Sequence, residues 1–273
     1  MALISILIPA YNHQAYVVQT LESILNDGFK DKEIVIINDG STDHTDEIIK
    51  RWIDKNSNKI KIIYKSRENR GLTKTLNELL SLSSGSYLVA LASDDYLLDG
   101  GLEKRYQYLI LHPEKYAVFS DCIVVDNENK KTHNSGLFDL RNADKNRLLT
   151  DSGIKKEFIS NFAVPGPVLM VRRGFYTQFG GFNEEMYMED FDLYLKFASK
   201  SLIGFLDEKV SAYRVHDTNM SSVKNQNFIK LLEDSKKTLM LHWNNFYGFN
   251  KFLLLKEIIK FTIRIQVCKF KNR

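Results

Sequence analysis

Three short segments gather carboxylates with hydroxyls or turn residues: Asn38-Asp39-Gly40-Ser41-Thr42-Asp43, Ser93-Asp94-Asp95 and Glu189-Asp190. An ionised carboxylate accepts hydrogen bonds and protons, and its oxygens are good ligands for hard divalent cations. Asp94 and Asp95 are adjacent like charges after an apolar run, an arrangement that is costly without a cation nearby. Each segment alone also has an ordinary reading. Asp39-Gly40 is a common turn, and Ser41, Thr42 and Asp43 are common helix N-caps. Glu189-Asp190 would complement the dipole of a helix that begins there. Arg70-Gly71 could approach a phosphate or simply form a solvated turn. His216, in Tyr213-Arg214-Val215-His216, could be a ligand, although a lone histidine is more often a surface or core residue.

The elements that must hold these residues follow from hydrophobic periodicity. Apolar runs at Ile4 to Ile8, Glu33 to Ile37, Ile60 to Tyr64 and Tyr87 to Leu91 read as strands. Between them, Val17, Leu21, Ile24 and Leu25, then Ile48, Ile49, Trp52 and Ile53, then Leu72, Leu76, Leu79 and Leu80 fall at helical spacing. Strands apolar throughout and alternating with helices predict a mostly parallel sheet covered on both faces. In such a sheet ligands bind at the carboxyl ends of the strands, which is where Pro9-Ala10-Tyr11-Asn12, Asp39 and Asp94-Asp95 fall. Their coincidence at one edge favours function over three unrelated turns. Further on, Ala117 to Val125 reads as one long strand and Asp126 to Ser152 as loop. Val168 to Val171 is a short apolar run, followed by a helix over 190–199, strands at Ile203 to Leu206 and Val210 to Val215, and helix after Asn225.

Composition narrows the function classes. The 273 residues are 44% hydrophobic and 26% charged, typical of a globular α/β chain with a substantial core. From Lys251 onward seven basic residues face one acid, Glu257, so this segment carries +6 and residues 1–250 carry −2 of the net +4. The body therefore lacks the charge of a nucleic-acid binder. Cys122 and Cys268 form no CxxC pair, which fits a reducing cytoplasm. The opening segment lacks a basic n-region and reads as a buried strand rather than a signal peptide. No segment approaches the roughly 20 apolar residues of a membrane span. In the basic tail, Lys256, Lys260 and Arg264 share one helical face, and Leu254, Ile258, Phe261, Ile265 and Cys268 share another. Such a helix can lie on an anionic membrane surface, or pack its apolar stripe on the body or a second copy.

Six segments occur in the order SILIPAYN, EIVIINDGSTD, ENRGLTKTLNELL, LASDDYL, MEDFDLYLKF and YRVH. Together they resemble the motif series of the family 2 glycosyltransferases, over about residues 3 to 220. The resemblance implies an inverting enzyme of the GT-A fold, with a Rossmann-like, mostly parallel sheet, flanking helices and a helical C-terminal tail. Residues 1–225 would be the catalytic domain, with a nucleotide-binding half at 1–112 and an acceptor half at 113–225, and 226–273 a helical extension. The donor would be a nucleotide-diphosphate sugar, a UDP-sugar or alternatively a dTDP-sugar. The acceptor would be a glycan or lipid-linked glycan of a bacterial surface polysaccharide. The setting would be the cytoplasm, with the tail peripheral to the inner face of the membrane.

Residue by residue, the resemblance gives Asp39 the N3–H of the base, with Tyr11 packed on the ring and Pro9 beside it. Asp94 would bind the ribose hydroxyls. Asp95, with His216, would hold Mg²⁺ or Mn²⁺ on the diphosphate, which Arg70 would also approach. Asp190 would be the general base, with Glu189 and Gly166 on the acceptor side. The family often reads Leu-Asp-x-Asp-Asp where this chain has Ala92 at the first Asp position, which bears on metal affinity and donor choice. The Gln-x-x-Arg-Trp motif of processive synthases is absent, so one sugar per encounter is expected. A nucleotidyltransferase would need a glycine-rich phosphate loop, yet Pro9 to His13 contains no glycine. A non-catalytic sugar-nucleotide or partner-binding module would not require Asp94, Asp95, Glu189 and Asp190 together.

Overall fold

The first half of the chain folds as its periodicity predicts. Strands β1 (Ile4–Ala10), β2 (Lys32–Asp39), β3 (Lys61–Arg67) and β4 (Tyr87–Ala90) alternate with helices α1 (Val17–Asn26), α2 (Thr45–Asn56) and α3 (Leu72–Leu82). The computed structural model describes residues 3–216 and 228–271. Successive strand residues point to opposite faces, and both faces are covered. Ile4, Ile6, Ile8, Ile34 and Ile36 pack under α1 and α2, whereas Leu7, Val35 and Ile37 pack under α3. This explains the unbroken apolar runs.

After β4 come β5 (Tyr96–Leu97), α4 (Gly101–Leu111), β6 (Ala117–Val125) and β7 (Lys131–His133). There follow α5 (Lys145–Leu148), α6 (Asp151–Ser160), β8 (Leu169–Arg172), α7 (Arg173–Phe179), α8 (Glu189–Ser199), β9 (Ile203–Arg214), α9 (Phe228–Leu241) and α10 (Gly248–Lys271). The single sheet has the order β3-β2-β1-β4-β8-β6-β9-β5, with β7 paired to β6. Strands β3, β2, β1 and β4 are parallel, as are β6 and β9. Strand β8 runs antiparallel to β4 and β6, so the sheet is mixed rather than uniformly parallel.

Two expectations need correction. The polar stretch 126–152, read as loop, contains β7, a π-helical turn at Gly136–Leu140, α5 and the start of α6. Its Asn- and Lys-rich character hid its caps: the Ser135 hydroxyl accepts from the Phe138 amide, Asp144 from Asn146, and Thr150 from Gly153. The strands expected at 203–206 and 210–215 are one strand, β9. Asp207, Glu208 and Lys209 break the apolar pattern because they lie exposed where the register against β6 shifts. The expected domain boundary at 225 and 226 lies outside the described residues.

The C-terminal helix is part of the body. Leu254 is fully buried in a core shared with α6 and α9, Phe261 packs against that core, and Ile265 is 6% exposed. The stripe Leu254, Phe261 and Ile265 is therefore used for packing. Among the described residues no helix is long and apolar enough to cross a membrane. Replacing Leu254 by Ala should cost about 2–5 kcal/mol in urea unfolding. Phe252, 60% exposed on the opposite face, should tolerate Ala within roughly 0.5 kcal/mol. Equal costs at the two positions would mean that α10 does not dock as described.

Candidate functional site

The parallel strands β1, β2 and β4 end at one edge, and the turns there are tied together by side chains. The Asn12 amide donates to the Ser41 hydroxyl at 3.0 Å, and the Thr42 amide to Asn12 Oδ1 at 2.8 Å. The His13 amide donates to Thr45 Oγ1 at 2.9 Å, and the Gln14 amide to Asp43 Oδ2 at 3.1 Å. Ser41, Thr42 and Asp43 thus brace the loop after β1 from the loop after β2. Gly40, at φ +73°, lies where an added Cβ would stand 2.5 Å from the Asn69 backbone nitrogen. Only glycine lets these two turns approach so closely.

Asp39 ends β2 and is 4% exposed. Its Oδ1 accepts from the Arg70 amide at 2.8 Å and its Oδ2 from the Gly71 amide at 3.0 Å. Arg67, at the end of β3, forms an ion pair with the same carboxylate. Arg67 is held in turn by Glu78 and Thr75. Arg70 therefore meets Asp39 through its backbone, while its side chain is exposed. Tyr11 is 46% exposed in the turn that follows β1, and Pro9 lies within β1.

The two adjacent acids after β4 point to different places. Asp94 Oδ2 lies 2.8 Å from His216 Nε2 and 3.7 Å from His13 Nε2. His13 Nδ1 is 2.8 Å from the Ser93 hydroxyl, which orients the ring so that Nε2 faces Asp94. One potential ligand atom from each of His13, Asp94 and His216 lies within 4.8 Å of the other two. In an octahedral shell at about 2.1 Å, neighbouring ligand atoms stand about 3 Å apart, so small rotations would let these three side chains share a divalent cation. Asp95 is turned the other way. It is 2% exposed, and its Oδ1 accepts from the Arg214 amide at 2.8 Å. The resemblance gave the cation to Asp95 and the ribose to Asp94, whereas the structure directs Asp94 toward the imidazoles and Asp95 into the protein.

Arg214, 1% exposed, locks this arrangement. Its guanidinium donates to the carbonyls of Asp94 at 2.9 Å and Asp126 at 2.7 Å, and to Gln19 Oε1 at 2.6 Å. Burial, then the charge of Asp94, push the Asp95 carboxyl well above its ordinary range. Burial acts in the same direction on Asp94, but the His216 hydrogen bond and the charges of His13 and His216 outweigh it and hold Asp94 low. Burial lowers His13, against the upward pull of Asp94, favouring the neutral imidazole that a cation requires.

Glu189 and Asp190 open α8, both half-buried. Asp190 Oδ1 accepts from the Phe191 amide at 2.7 Å. Burial raises both carboxyls, and the charge of Asp190 raises Glu189 further. At Asp190 the rise is countered by the Phe191 amide and by Arg141, whose buried Nε has no hydrogen-bond partner among the described residues. The segment leading into α8 is pinned from α9, where Asp234 Oδ2 accepts from the amides of Tyr187 at 3.0 Å and Met188 at 2.7 Å. It is also tied to α3, the helix that follows the Asp39-binding turn, by Asn77 to the Phe182 carbonyl at 3.0 Å and Thr73 to the Met186 carbonyl at 3.4 Å. Gly166 sits in an exposed turn where a Cβ would meet nothing within 4 Å. A cavity of about 270 Å³ lies beside this segment, lined among others by Phe162, Met188, Phe191, Lys260, Phe261 and Arg264.

His13, Arg67, Arg141 and Asp234 were not singled out in the sequence. His13 adjoins the Pro9 to Asn12 turn and could have been included on that ground. The others show no local signal, because each acts across the fold. Replacing Asp234 by Ala removes the acceptor for two amides and should cost about 1–3 kcal/mol. Hydrogen exchange at Tyr187 and Met188 should accelerate, while Asp234→Asn, which keeps a carbonyl oxygen, should be milder. Unchanged exchange at both amides would overturn the pinning role.

The sequence profile described as Glycosyl transferase family 2 matches residues 5–179. The chain is 27% identical over 214 residues to the Campylobacter jejuni GalNAc(5)-diNAcBac-PP-undecaprenol beta-1,3-glucosyltransferase, covering 78% of this chain and 64% of that protein. The S. aureus TarS 1-349 structure in complex with UDP superposes with a TM-score of 0.66 at 20% identity, covering 95% of this chain and 70% of that one. The mannosyltransferase PcManGT from Pyrobaculum calidifontis, in complex with GDP-Man and Mn²⁺, gives 0.69 at 16% identity, covering 93% and 68%. Among the first curated relatives matched, the alignments span 29%, 16% and 43% of the relative's length.

Proposed function

The chain belongs to glycosyl transferase family 2, and on that premise we propose that it moves a sugar from a uridine diphosphate donor to an acceptor hydroxyl with inversion. The observation that carries this reading is the continuity of the strand-end turns. Asp39, Asn12-His13 and Asp94 with His216 form one bonded rim, and the Asp190 segment is tied to that rim through α3.

Asp39 gives three of about four carboxylate lone pairs to Arg67 and two amides, leaving one for the N3–H of a uracil ring. Tyr11, exposed in the turn after β1, would pack on that base. A dTDP-sugar presents the same N3–H and is the nearest alternative. The UDP complex of the TarS fold neighbour supports this choice, whereas the mannosyltransferase neighbour carries a guanosine donor. His13, Asp94 and His216 would hold Mg²⁺ or Mn²⁺. The cation's contribution is to neutralise the charge developing on the departing nucleoside diphosphate. Asp95 holds the turn in place from behind through the Arg214 amide. Arg70, exposed at the neighbouring turn, would meet phosphate oxygens.

Asp190 would take the proton of the acceptor hydroxyl as its oxygen attacks the anomeric carbon. Its raised pKa makes it a stronger base than a free aspartate, while Arg141 keeps the ionised form accessible. Glu189 and the turn at Gly166 border the acceptor. By analogy with the Campylobacter relative, whose name includes a diphosphate-linked undecaprenol, the acceptor is a lipid-linked glycan of a surface polysaccharide. The reaction would take place on the cytoplasmic side.

Calorimetry in the presence of Mn²⁺ should show UDP binding more tightly than GDP, with the Mn²⁺ enhancement lost in Asp94→Asn. Tighter GDP binding would exclude the base assignment, and turnover insensitive to a chelator would exclude the cation. Asp190→Asn should lower turnover by about 10²- to 10⁴-fold with donor affinity unchanged. The wild-type rate requires ionised Asp190, so it should fall as pH drops through a value above the 3.9 or so of a free aspartate. A near-normal rate in the Asn variant, or a retained anomer in the product, would refute the mechanism.

A further inference from the structure

Helix α10 carries two apolar faces. At 3.6 residues per turn, Leu254, Glu257, Phe261 and Ile265 share the side turned to the body. Opposite them, Phe249, Phe252, Leu255, Ile259, Ile263, Val267 and Phe270 occupy about one third of the circumference. Every one of these seven is exposed, from 42% at Leu255 to 81% at Phe270. This is a continuous stripe over more than five turns, about 30 Å long at 1.5 Å per residue. Scattered exposed apolar residues are ordinary, whereas a continuous stripe of this size marks a contact surface.

Charge identifies what it contacts. Lys256, Lys260 and Arg264 run along one edge of the stripe, and Lys251 and Lys269 along the other. Lys269 is paired with Glu233 and Lys260 with Glu257, while Lys251 stands 4.7 Å over the Trp243 ring. Lys256 and Arg264 have no acidic partner among the described residues. Apolar residues flanked on both sides by cations suit a bilayer surface, where the stripe enters the acyl boundary and the cations meet anionic headgroups. With cations this close to the stripe and no matching apolar span, the helix would lie on the membrane and not cross it.

We propose that the outer face of α10 seats this domain on an anionic lipid surface. The contact uses the face opposite the apolar stripe that packs on the body, so folding and docking do not compete. It also has a consequence for the acceptor, which rests on the proposed function. Lys260 and Arg264 border the lipid-facing stripe and also line the cavity shared with Met188 and Phe191, on either side of Glu189-Asp190. A lipid-borne acceptor would therefore reach Asp190 along the cationic edge of the seated helix.

The test is sedimentation of the full chain with vesicles of phosphatidylcholine alone or with added phosphatidylglycerol. Wild-type protein should bind the anionic vesicles and bind neutral ones at least about tenfold more weakly. The double variant Ile259→Gln with Ile263→Gln should lose about tenfold or more of the anionic binding. Lys256→Gln should weaken it by a smaller factor that added salt masks. Circular dichroism melting and UDP binding should be unchanged in both variants, which separates failure of this surface from failure of the transferase reading. Equal vesicle binding by the double variant and wild type would overturn the proposal. So would a wild-type dimer in analytical ultracentrifugation that the double variant abolishes, because the stripe would then cover a second copy.

Discussion

The strand-end site depends on the burial of Arg214. Two consecutive aspartates sit beneath the rim of the sheet, where unpaired charge is expensive to hold. Arg214 reaches them from β9 with both its backbone and its guanidinium, and the same side chain holds the carbonyl of Asp126 and the amide oxygen of Gln19. Three segments far apart in sequence are thereby fixed to one arginine of β9. The next residues along the chain, Val215 and His216, emerge from this anchor, so the position of the His216 ring follows from the clamp beneath it.

With that clamp in place, Asp94 and Asp95 become chemically different. Asp95 faces protein, is deprived of solvent and is pushed toward its neutral form. Asp94 faces two imidazoles and is held ionised. Environments that drive neighbouring carboxyls apart are a recurrent way of giving them separate tasks. Here one closes a structural contact and the other completes a potential ligand set. The start of α8 shows a related pattern, in which Glu189 and Asp190 are both raised by burial but Arg141 and the Phe191 amide counter the rise at Asp190.

The second half of the chain acts as a brace for α8. Asp234 on α9 holds the amides before it, His242 meets Asp192 at 2.9 Å within it, and α10 closes the cavity beside it. A C-terminal helix read from sequence as either a surface anchor or a packing element packs one side on the body. The packing face is observed directly, and the outer face is left apolar.

The sequence by itself determined the parallel half of the sheet, because strands buried on two faces must be apolar at every position and helices between them must carry a stripe. It also determined that Asp39, Asp94, Asp95 and the loop after Pro9 share one edge, since parallel strands end on the same side. It could not determine where adjacent carboxylates point, which depends on what lies across the sheet. Asp94 and Asp95 are distinguished by His13, 81 residues before Asp94, and by Arg214 and His216, about 120 residues after it. It likewise left the stretch 126–152 without structure, because its short elements start at side-chain caps and bury single apolar residues, Leu137 and Leu148, that make no hydrophobic period. The long-range partners Arg67, Arg141 and Asp234 leave no local trace, for a charge buried by tertiary contact looks in the sequence like any other polar residue.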